Sequence, residues 1–409
     1  MEERLREYAR LLIGVGLNVQ KGQTLVLSAP VECAPFARLC TSAAYDAGCG
    51  EVVMNWTDDH MMREKFLRAQ DAAFTAPRAW RKAFFTEYAE EGAAYLRIDA
   101  EDPETLAGVR PERLIAAQRV SSGERETFDR LQMANGFPWC VAGAPIAAWA
   151  KKVFPGRAER EAVEALWDAI LATVRVTGDG KAGERWREHI ALLASRKEKL
   201  NELHFKSLHY TNSLGTDLTI ELPEDHLWAA GNSVTPKGQP FVANMPTEEI
   251  FTAPRRNGVN GTVCAALPLV YNGSIIEDIC FTVCEGRIVE AKASRGEDIL
   301  NAAISVDDGA HYFGEVALVP YDSPIRNSGL LFYNTLYDEN ASCHLAFGEA
   351  YPECISGGES MTHKELEAHG LNRSLTHVDF MVGTADLSIT GMTHDGRELP
   401  VFTNGNFAL

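Results

Sequence analysis

The first half of the chain alternates helical spacing of apolar residues with short, continuous apolar runs. Residues 2–17 place Leu5, Ala9, Leu12 and Val15 on one helical face, which predicts an amphipathic helix. The runs TLVLS, EVVMNW and AYLRIDA are typical of buried strands, and helical segments lie between them. Strands that alternate with helices predict a mainly parallel sheet with helices on its faces. No glycine-rich phosphate-binding loop follows these strands, so a nucleotide site has no support.

The pattern changes after the charged helical stretch at about residues 158–203. Short strand-like runs then dominate, with turn signals such as NG and DG between them: GTDLTIELP, NGTVCAALPLV, DICFTVCEG, RIVEAKAS, GEVALVP, LLFYNTLY, HVDFMVG and LSITGMTHDG. The sequence therefore predicts a two-domain α+β protein. Residues 1–190 form an N-terminal α/β domain with a mainly parallel sheet, and residues 191–409 form a β-rich catalytic domain with a barrel-like antiparallel sheet.

Composition narrows the classes of protein. A formal net charge of −18 argues against a nucleic-acid or anionic-membrane partner, which would favour a basic face. No segment is apolar enough to span a bilayer, and the N-terminal MEERLREYARLL lacks the apolar core of a signal peptide, so we expect a cytoplasmic protein. The nine cysteines include no C-x-x-C pair, and we interpret them as reduced, buried side chains.

Two adjacent carboxylates mark the first candidate site. In NMPTEEIFTAPRR, Glu248 and Glu249 lie between apolar neighbours. Like charges in apolar surroundings are costly unless a cation or a shared proton compensates them, or unless the segment is exposed to water. The question is whether the rest of the chain supplies partners for a buried site.

Further acidic residues and histidines lie in or beside the strand-like runs of the second half. Glu315 is within HYFGEVALVP, and Glu339 and His344 are within YDENASCHLAFG. His377 and Asp379 in THVDFMVG are two residues apart, so in a strand their side chains point to the same face.

These residue types are metal ligands for zinc, cobalt or manganese, and there are more of them than one tetrahedral zinc needs. Two metal ions that share a bridging carboxylate would use them all. Alternatives without a metal site stay open at this point. A glutamate in a strand can be exposed at an edge, and His377 with Asp379 can form a solvated strand face. The other histidines are interpreted as structural or surface residues, with His311 at most a neighbour of a ligand.

Several long motifs occur in a fixed order along nearly the whole chain: GLNVQKGQTLVL, NMPTEEIFTAP, GVNGTV, YNG, GEVALVP, SGLLFYNTLYDENASCHLAFGEAYP, SLTHVDFMVG and PVFTNGNFA. In these motifs the sequence resembles the thermophilic metallo-aminopeptidase family, which includes aminopeptidase T, aminopeptidase S and the PepS enzymes. The resemblance implies removal of single amino acids from the N-termini of short peptides by two co-catalytic divalent metal ions. Zinc or cobalt is expected, with manganese and magnesium as alternatives.

The resemblance also implies roles for individual residues. The implied metal ligands are Glu249, Glu315, Glu339, His344, His377 and Asp379. Tyr351 matches a tyrosine of the family's site and is expected to donate a hydrogen bond to the tetrahedral oxyanion. Glu248 has two candidate roles, general base or hydrogen-bond acceptor beside the site. A homodimer is expected, with small peptides as substrates.

Two alternatives of a different class remain. The same cluster would suit a metal-dependent amidase or deacylase that acts on a non-peptide amide. It would also suit a metal-binding scaffold without turnover.

Overall fold

Helices dominate the first half of the chain in the computed structural model, which describes residues 1–409. The α-helices are α1 (Glu2–Leu11), α2 (Ala34–Asp46), α3 (Asp59–Arg68), α4 (Ala79–Glu91), α5 (Pro111–Met133), α6 (Ala147–Val153), α7 (Glu159–Thr173), α8 (Ala182–Leu203), α9 (Glu297–Ala303), α10 (Pro324–Asn327), α11 (Thr335–Glu339) and α12 (His363–Ala368). The predicted N-terminal helix is confirmed, and α1 continues into a π-helical turn at Leu12–Gly16. No helix combines the length and apolar character needed to cross a membrane.

Strands dominate the second half. They are β1 (Thr24–Pro30), β2 (Glu51–Thr57), β3 (Ala94–Asp99), β4 (Trp139–Gly143), β5 (Ser207–Thr211), β6 (Asp217–Glu221), β7 (Ala229–Ala230), β8 (Ser233–Val234), β9 (Pro240–Phe241), β10 (Asn244–Met245), β11 (Ile250–Thr252), β12 (Val259–Cys264), β13 (Leu269–Tyr271), β14 (Ser274–Ile276), β15 (Cys280–Cys284), β16 (Arg287–Lys292), β17 (Phe313–Leu318), β18 (His344–Gly348), β19 (His377–Met381), β20 (Ser388–Met392), β21 (Glu398–Thr403) and β22 (Asn406–Phe407).

One strand prediction is wrong. The run LLFYNTLY forms no strand, because Tyr333 has a φ of 53° and α11 begins at Thr335. A left-handed residue interrupts the extended backbone that a strand needs. The other seven strand-like runs of the second half each contain a strand.

The chain divides into two compact units. Unit 1 comprises Met1–Ala191, Asn232–Thr247 and Leu331–Leu336. Unit 2 comprises Leu192–Gly231, Glu248–Leu330 and Tyr337–Leu409. The division therefore falls within α8, and two short segments of the second half belong to unit 1.

Unit 1 is built on a parallel sheet with the strand order β10-β4-β3-β1-β2. Strand β1 lies between β3 and β2, and its Leu25, Val26 and Leu27 are almost completely buried. Such an unbroken apolar run is typical of a strand that helices cover on both faces. The predicted parallel sheet of the first half is confirmed.

Unit 2 contains two larger antiparallel sheets. One has the strand order β19-β18-β17-β11-β7, and the other has the order β16-β15-β12-β6-β5-β20-β21-β22. Phe281 of the second sheet makes edge-to-face contacts with Phe313, Phe347 and Phe380 of the first, so the two sheets share an aromatic core. Both strand orders are linear, and a barrel is not confirmed.

The prediction that all cysteines are reduced is wrong for one pair. Cys264 and Cys280 are directly opposed on β12 and β15, with Cα atoms 4.1 Å apart, and form a disulfide. Six of the other cysteines are buried and free, whereas Cys284 is free and exposed.

Candidate metal centre

Strand alternation places four polar side chains on one face of the five-stranded sheet. His377 and Asp379 of β19 share a face, because side chains two residues apart point the same way. His344 of β18 pairs with Ala317 of β17, so His344 and Glu315 lie on that face as well. The opposite face is apolar and packs into the core between the sheets.

Glu315, His377 and Asp379 form the first group of candidate metal ligands, with all ligand atoms within 4.8 Å of one another. Nε2 of His377 lies 3.0 Å from Oε2 of Glu315 and 3.3 Å from Oδ1 of Asp379. Oδ1 of Asp379 is buried and accepts no hydrogen bond. A buried carboxylate oxygen of this kind is costly unless a cation compensates it.

Glu249, Glu315 and His344 form the second group, also within 4.8 Å. Nε2 of His344 lies 3.2 Å from Oε2 of Glu249 and 4.0 Å from Oε1 of Glu315. Glu249 directly precedes β11, which pairs with β17, so the segment that carries it runs beside the strand of Glu315. Glu315 belongs to both groups, with one carboxylate oxygen near each histidine.

The two histidines present the same nitrogen to the carboxylates. Nδ1 of His377 donates to the carbonyl of Glu349 at 2.7 Å, and Nδ1 of His344 lies 3.0 Å from the carbonyl of Glu339. Because carbonyls only accept, Nδ1 carries the proton in each ring, and Nε2 is available to ligate a cation. A backbone carbonyl that orients a ligating imidazole in this way is common at metal sites.

The pKa shifts of the clustered side chains indicate that the cluster requires compensating positive charge. Burial raises the pKa of the Glu315 carboxyl, and the neighbouring Asp379 and Glu249 raise it further, although His377 opposes them. Burial alone would lower the pKa of His377, but Asp379 and Glu315 outweigh it and hold that pKa well above its usual value. His344 behaves in the same way beside Glu249. Without a metal, protons must compensate the carboxylates, so the donor set fits divalent cations.

Glu339 lies beside this cluster rather than within either ligand group. It ends α11, and its carboxyl is buried. Burial raises its pKa well above the usual value, and the charges of Asp379, Glu249 and Glu315 add to that shift. The carboxyl is therefore close enough to share the field of the cluster.

Tyr351 lies at the edge of the cluster. Its ring contacts His377 edge-on, with centroids 5.0 Å apart, and also contacts Phe251 at 5.5 Å. Burial raises the pKa of its phenol well above the usual value, and the carboxylates of Glu315 and Asp379 raise it further. The hydroxyl therefore keeps its proton and is available as a donor.

Glu248 is as buried as its neighbour but has a different environment. Its backbone N–H donates to Oδ1 of Asn340 at 2.7 Å, and its charge interacts with Arg196. Asn340 is completely buried, and its Nδ2 lies 3.3 Å from Oε1 of Glu339. Asn340 links the segments of Glu248 and Glu339 and is not among the residues predicted from the sequence. In the sequence, only its position between Glu339 and His344 indicates a role at the site.

The remaining histidines lie outside both ligand groups. His311 is near Arg287 and Asp308, and its pKa is lowered chiefly by burial. His226 is buried and its ring stacks on that of His204, with centroids 4.7 Å apart.

Comparisons with known proteins give matches over nearly the whole chain. A sequence model of the family described as thermophilic metalloprotease (M29) matches residues 1–407. Aminopeptidase AmpS of Bacillus subtilis (strain 168) is 45% identical over 99% of this chain and 98% of its own length. Aminopeptidase 2 of Geobacillus stearothermophilus is 42% identical over 100% of this chain and 98% of its own. The structure of wild-type AmpT from Thermus thermophilus superposes with a TM-score of 0.91 at 35% identity, and each chain is covered completely.

Proposed function

The chain belongs to the thermophilic metalloprotease family (M29), and we propose that it is a metal-dependent aminopeptidase with two co-catalytic divalent metal ions. Its proposed reaction is hydrolysis of the N-terminal peptide bond of short peptides. The observation that carries the proposal is the shared carboxylate of Glu315, which belongs to two ligand groups with a histidine in each. Two groups joined by one carboxylate are the arrangement that a two-metal site needs.

Six residues would hold the ions: Glu249, Glu315, Glu339, His344, His377 and Asp379. The mixed oxygen and nitrogen donors suit zinc or cobalt, and they also accept manganese or magnesium. When bound, such ions supply a polarised substrate carbonyl and a water of lowered pKa. The cluster faces away from the apolar core, so its strands stay packed whether or not the ions are present.

The chain's own groups handle the proton and the developing charge. Tyr351 donates its phenolic hydrogen to the oxygen that becomes negative when water attacks the peptide carbonyl. Glu248 is the proposed general base, which takes a proton from the attacking water and passes it to the leaving amine. The alternative for Glu248 is to accept a hydrogen bond beside the site without moving a proton.

Selectivity for a free N-terminus follows from the charge of the site. Four carboxyl groups lie around two histidines: Glu249, Glu315, Glu339 and Asp379. A free α-amine can ligate a bound metal ion or donate hydrogen bonds to one of these carboxylates, whereas an acylated nitrogen has no basic lone pair for a metal ion. We therefore expect action from the N-terminal end only.

One panel of substrates separates this function from its alternatives. The metal-loaded protein is incubated with aminoacyl-p-nitroanilides and with their N-acylated counterparts. An aminopeptidase cuts the free-amine substrates and spares the blocked ones. Cleavage of blocked amides would favour an amidase or deacylase. If neither set were cut by protein with a full metal content, a metal-binding scaffold would be the better account.

We also propose a homodimer. Strand β2 is at an edge of the parallel sheet, and Trp56 near its end is 44% exposed. No residue of helix α3 is fully buried, and Met61 in its first turn is 72% exposed. A second copy that covered this surface would remove both side chains from water. A cytoplasmic location stays a prediction.

A further inference from the structure

A buried asparagine joins three chain segments close to the candidate metal centre. Asn372 is only 3% exposed. Its Nδ2 donates to the carbonyl of Gly348 at 2.6 Å and to that of Gly309 at 2.8 Å, and it lies 3.4 Å from the carbonyl of Tyr312. These carbonyls come from the end of β18 and from the turn that leads into β17. One amide therefore fixes both strands at the end where His377 pairs with Gly348.

Arg256 determines which way this amide points. Nε of Arg256 lies 3.0 Å from Oδ1 of Asn372, and a terminal nitrogen donates to Asp308 at 3.0 Å. The guanidinium also lies 3.7 Å from the ring centroid of Tyr312. A guanidinium has only donors, so the atom of Asn372 that faces it must be the oxygen. The amide nitrogen of Asn372 is thereby directed towards the carbonyls.

Asn372 holds the peptide groups on both sides of Glu349. Its side chain binds the carbonyl of Gly348, and its own backbone carbonyl accepts from the N–H of Ala350 at 3.1 Å. The second of these peptide groups carries the carbonyl of Glu349, which accepts the Nδ1 hydrogen of His377 at 2.7 Å. The bond to Ala350 uses only backbone atoms, so the side chain of Asn372 acts through the neighbouring peptide group, which joins Gly348 to Glu349. Fixing that plane restricts the direction of the Glu349 carbonyl.

The backbone geometry leaves little freedom here. Gly348 has a φ of 110°, and a Cβ at this position would lie 2.0 Å from the carbonyl oxygen of Thr376. The backbone N–H of Glu349 donates to the same oxygen at 2.7 Å. The last residues of β18 are thus held closely against the start of β19. Where strand pairing supplies no partner, the side chain of Asn372 binds the carbonyl of Gly348.

We propose that Asn372 is a positioning residue for His377. Acting through the carbonyl of Glu349, it keeps Nδ1 of the imidazole in a hydrogen bond and directs Nε2 towards Glu315 and Asp379. This inference rests on the proposed metal-dependent function, because the orientation matters most when Nε2 ligates a cation. Partners that orient a ligating histidine commonly change metal affinity by about 10- to 100-fold when they are removed.

The test uses the full chain in metal-free form and the variant Asn372→Ala. Its first readout is the exchange-protected imidazole N–H signal of His377 in NMR spectra, assigned by its absence in His377→Gln. Its second readout is zinc affinity, measured by competition with a chromophoric chelator. We expect the N–H signal to lose its protection and the affinity to fall by about 10- to 100-fold. At saturating zinc, kcat should fall while KM stays nearly constant.

Asn201→Ala is the matched control. The side-chain amide of Asn201 also forms two hydrogen bonds to backbone groups, because it accepts from the N–H of Trp228 and donates to the carbonyl of Trp228. It touches no candidate ligand. This control should lose thermal stability and keep the imidazole signal and the zinc affinity of the wild type. If Asn372→Ala behaves like Asn201→Ala, Asn372 is merely structural and the proposal is overturned.

A second variant covers the case in which Asn372→Ala does not fold. Arg256→Met keeps a long stem and removes the donor that orients the amide, so a partial loss of protection and affinity is expected. Wild-type behaviour in this variant, with a folded chain, would then overturn the proposal. Failure of the proposed function looks different: the wild type itself would bind no zinc, whereas the imidazole signal would still report on positioning.

Discussion

Oε2 of Glu315 lies 3.0 Å from Nε2 of His377. The other oxygen of the same carboxylate lies 4.0 Å from Nε2 of His344, so one side chain joins two histidines on neighbouring strands. Strand alternation produces this arrangement, because Glu315 lies on the face opposite to its apolar neighbours Val316 and Leu318, which pack in the core. The relationship explains why a single glutamate should matter to both proposed metal ions.

The first prediction concerns that carboxylate. Glu315→Gln keeps the size of the side chain and removes its charge, so both ligand groups lose a member. We expect kcat to fall by at least ~10³, the scale of losing a main electrostatic contributor. Folding should persist, because the core of the sheet is formed by Val316 and Leu318. His377→Ala should act similarly on kcat.

Steady-state kinetics and elemental analysis check this outcome. Glu290→Gln is the control, since Glu290 lies on β16 in the other sheet and pairs with Lys292 at the surface. Near-normal activity together with a normal metal content in Glu315→Gln would remove Glu315 from the site.

The second prediction concerns Tyr351. Its ring packs on Phe251 and His377, and Tyr351→Phe preserves those contacts while it removes the donor. If the hydroxyl meets the oxyanion, kcat should fall by roughly 10²–10³, with KM and metal content nearly unchanged. A tyrosine that only packs would instead show a lower melting temperature and an unchanged kcat. Kinetics and thermal unfolding of this variant distinguish the two.

The third prediction concerns acid stability. Burial lowers the pKa of His226 to about 4, and the neighbouring His204 and His394 lower it further. The unfolded chain takes up this proton near pH 6.5, so the contribution of His226 to stability is complete above that pH and is lost as the pH falls towards 4. The free energy of unfolding should drop by about 2 kcal/mol between pH 7 and pH 5 on this account.

Urea unfolding at the two pH values measures the drop. His226→Asn keeps a donor for the carbonyl of Pro223 and does not titrate, so its drop should be smaller by about that amount. His209→Asn is the control, because His209 is exposed beside Asp217. An equal drop in wild type and His226→Asn would show that other groups cause the acid sensitivity.

The fourth prediction concerns assembly. Light scattering should give twice the 44.9 kDa mass of the chain at working concentration. Met61→Lys should weaken the dimer, because it replaces an exposed apolar side chain of the proposed interface by a charge. A monomeric wild type would contradict the proposal. So would rapid trimming of a folded protein whose N-terminus is buried, because we expect only short peptides to enter the site.

Local patterns were enough to predict much of the fold, and they indicated residues that lie together in the candidate metal centre. The period of two in HVDF indicated that His377 and Asp379 share a face, and apolar runs such as TLVLS indicated buried strands of a parallel sheet. These features depend on residues that are close in sequence, where side-chain direction follows from strand geometry.

Features that depend on residues distant along the chain could not be predicted from the sequence. The disulfide of Cys264 and Cys280 requires knowing that β12 pairs with β15, and the register of two strands is not visible in either strand alone. The same limit applies to Asn372, whose partners Gly309 and Gly348 are 63 and 24 residues away along the chain. The apolar letters of LLFYNTLY suggested a strand, but the left-handed backbone of Tyr333 interrupts it.

A metal titration of activity tests the central claim most directly. The protein is treated with a chelator, shown by elemental analysis to be metal-free, and assayed on an aminoacyl-p-nitroanilide while zinc or cobalt is added. We expect no activity at first, then recovery that saturates near two ions per chain, with manganese and magnesium restoring activity to different extents. Full activity in the metal-free protein would contradict the account.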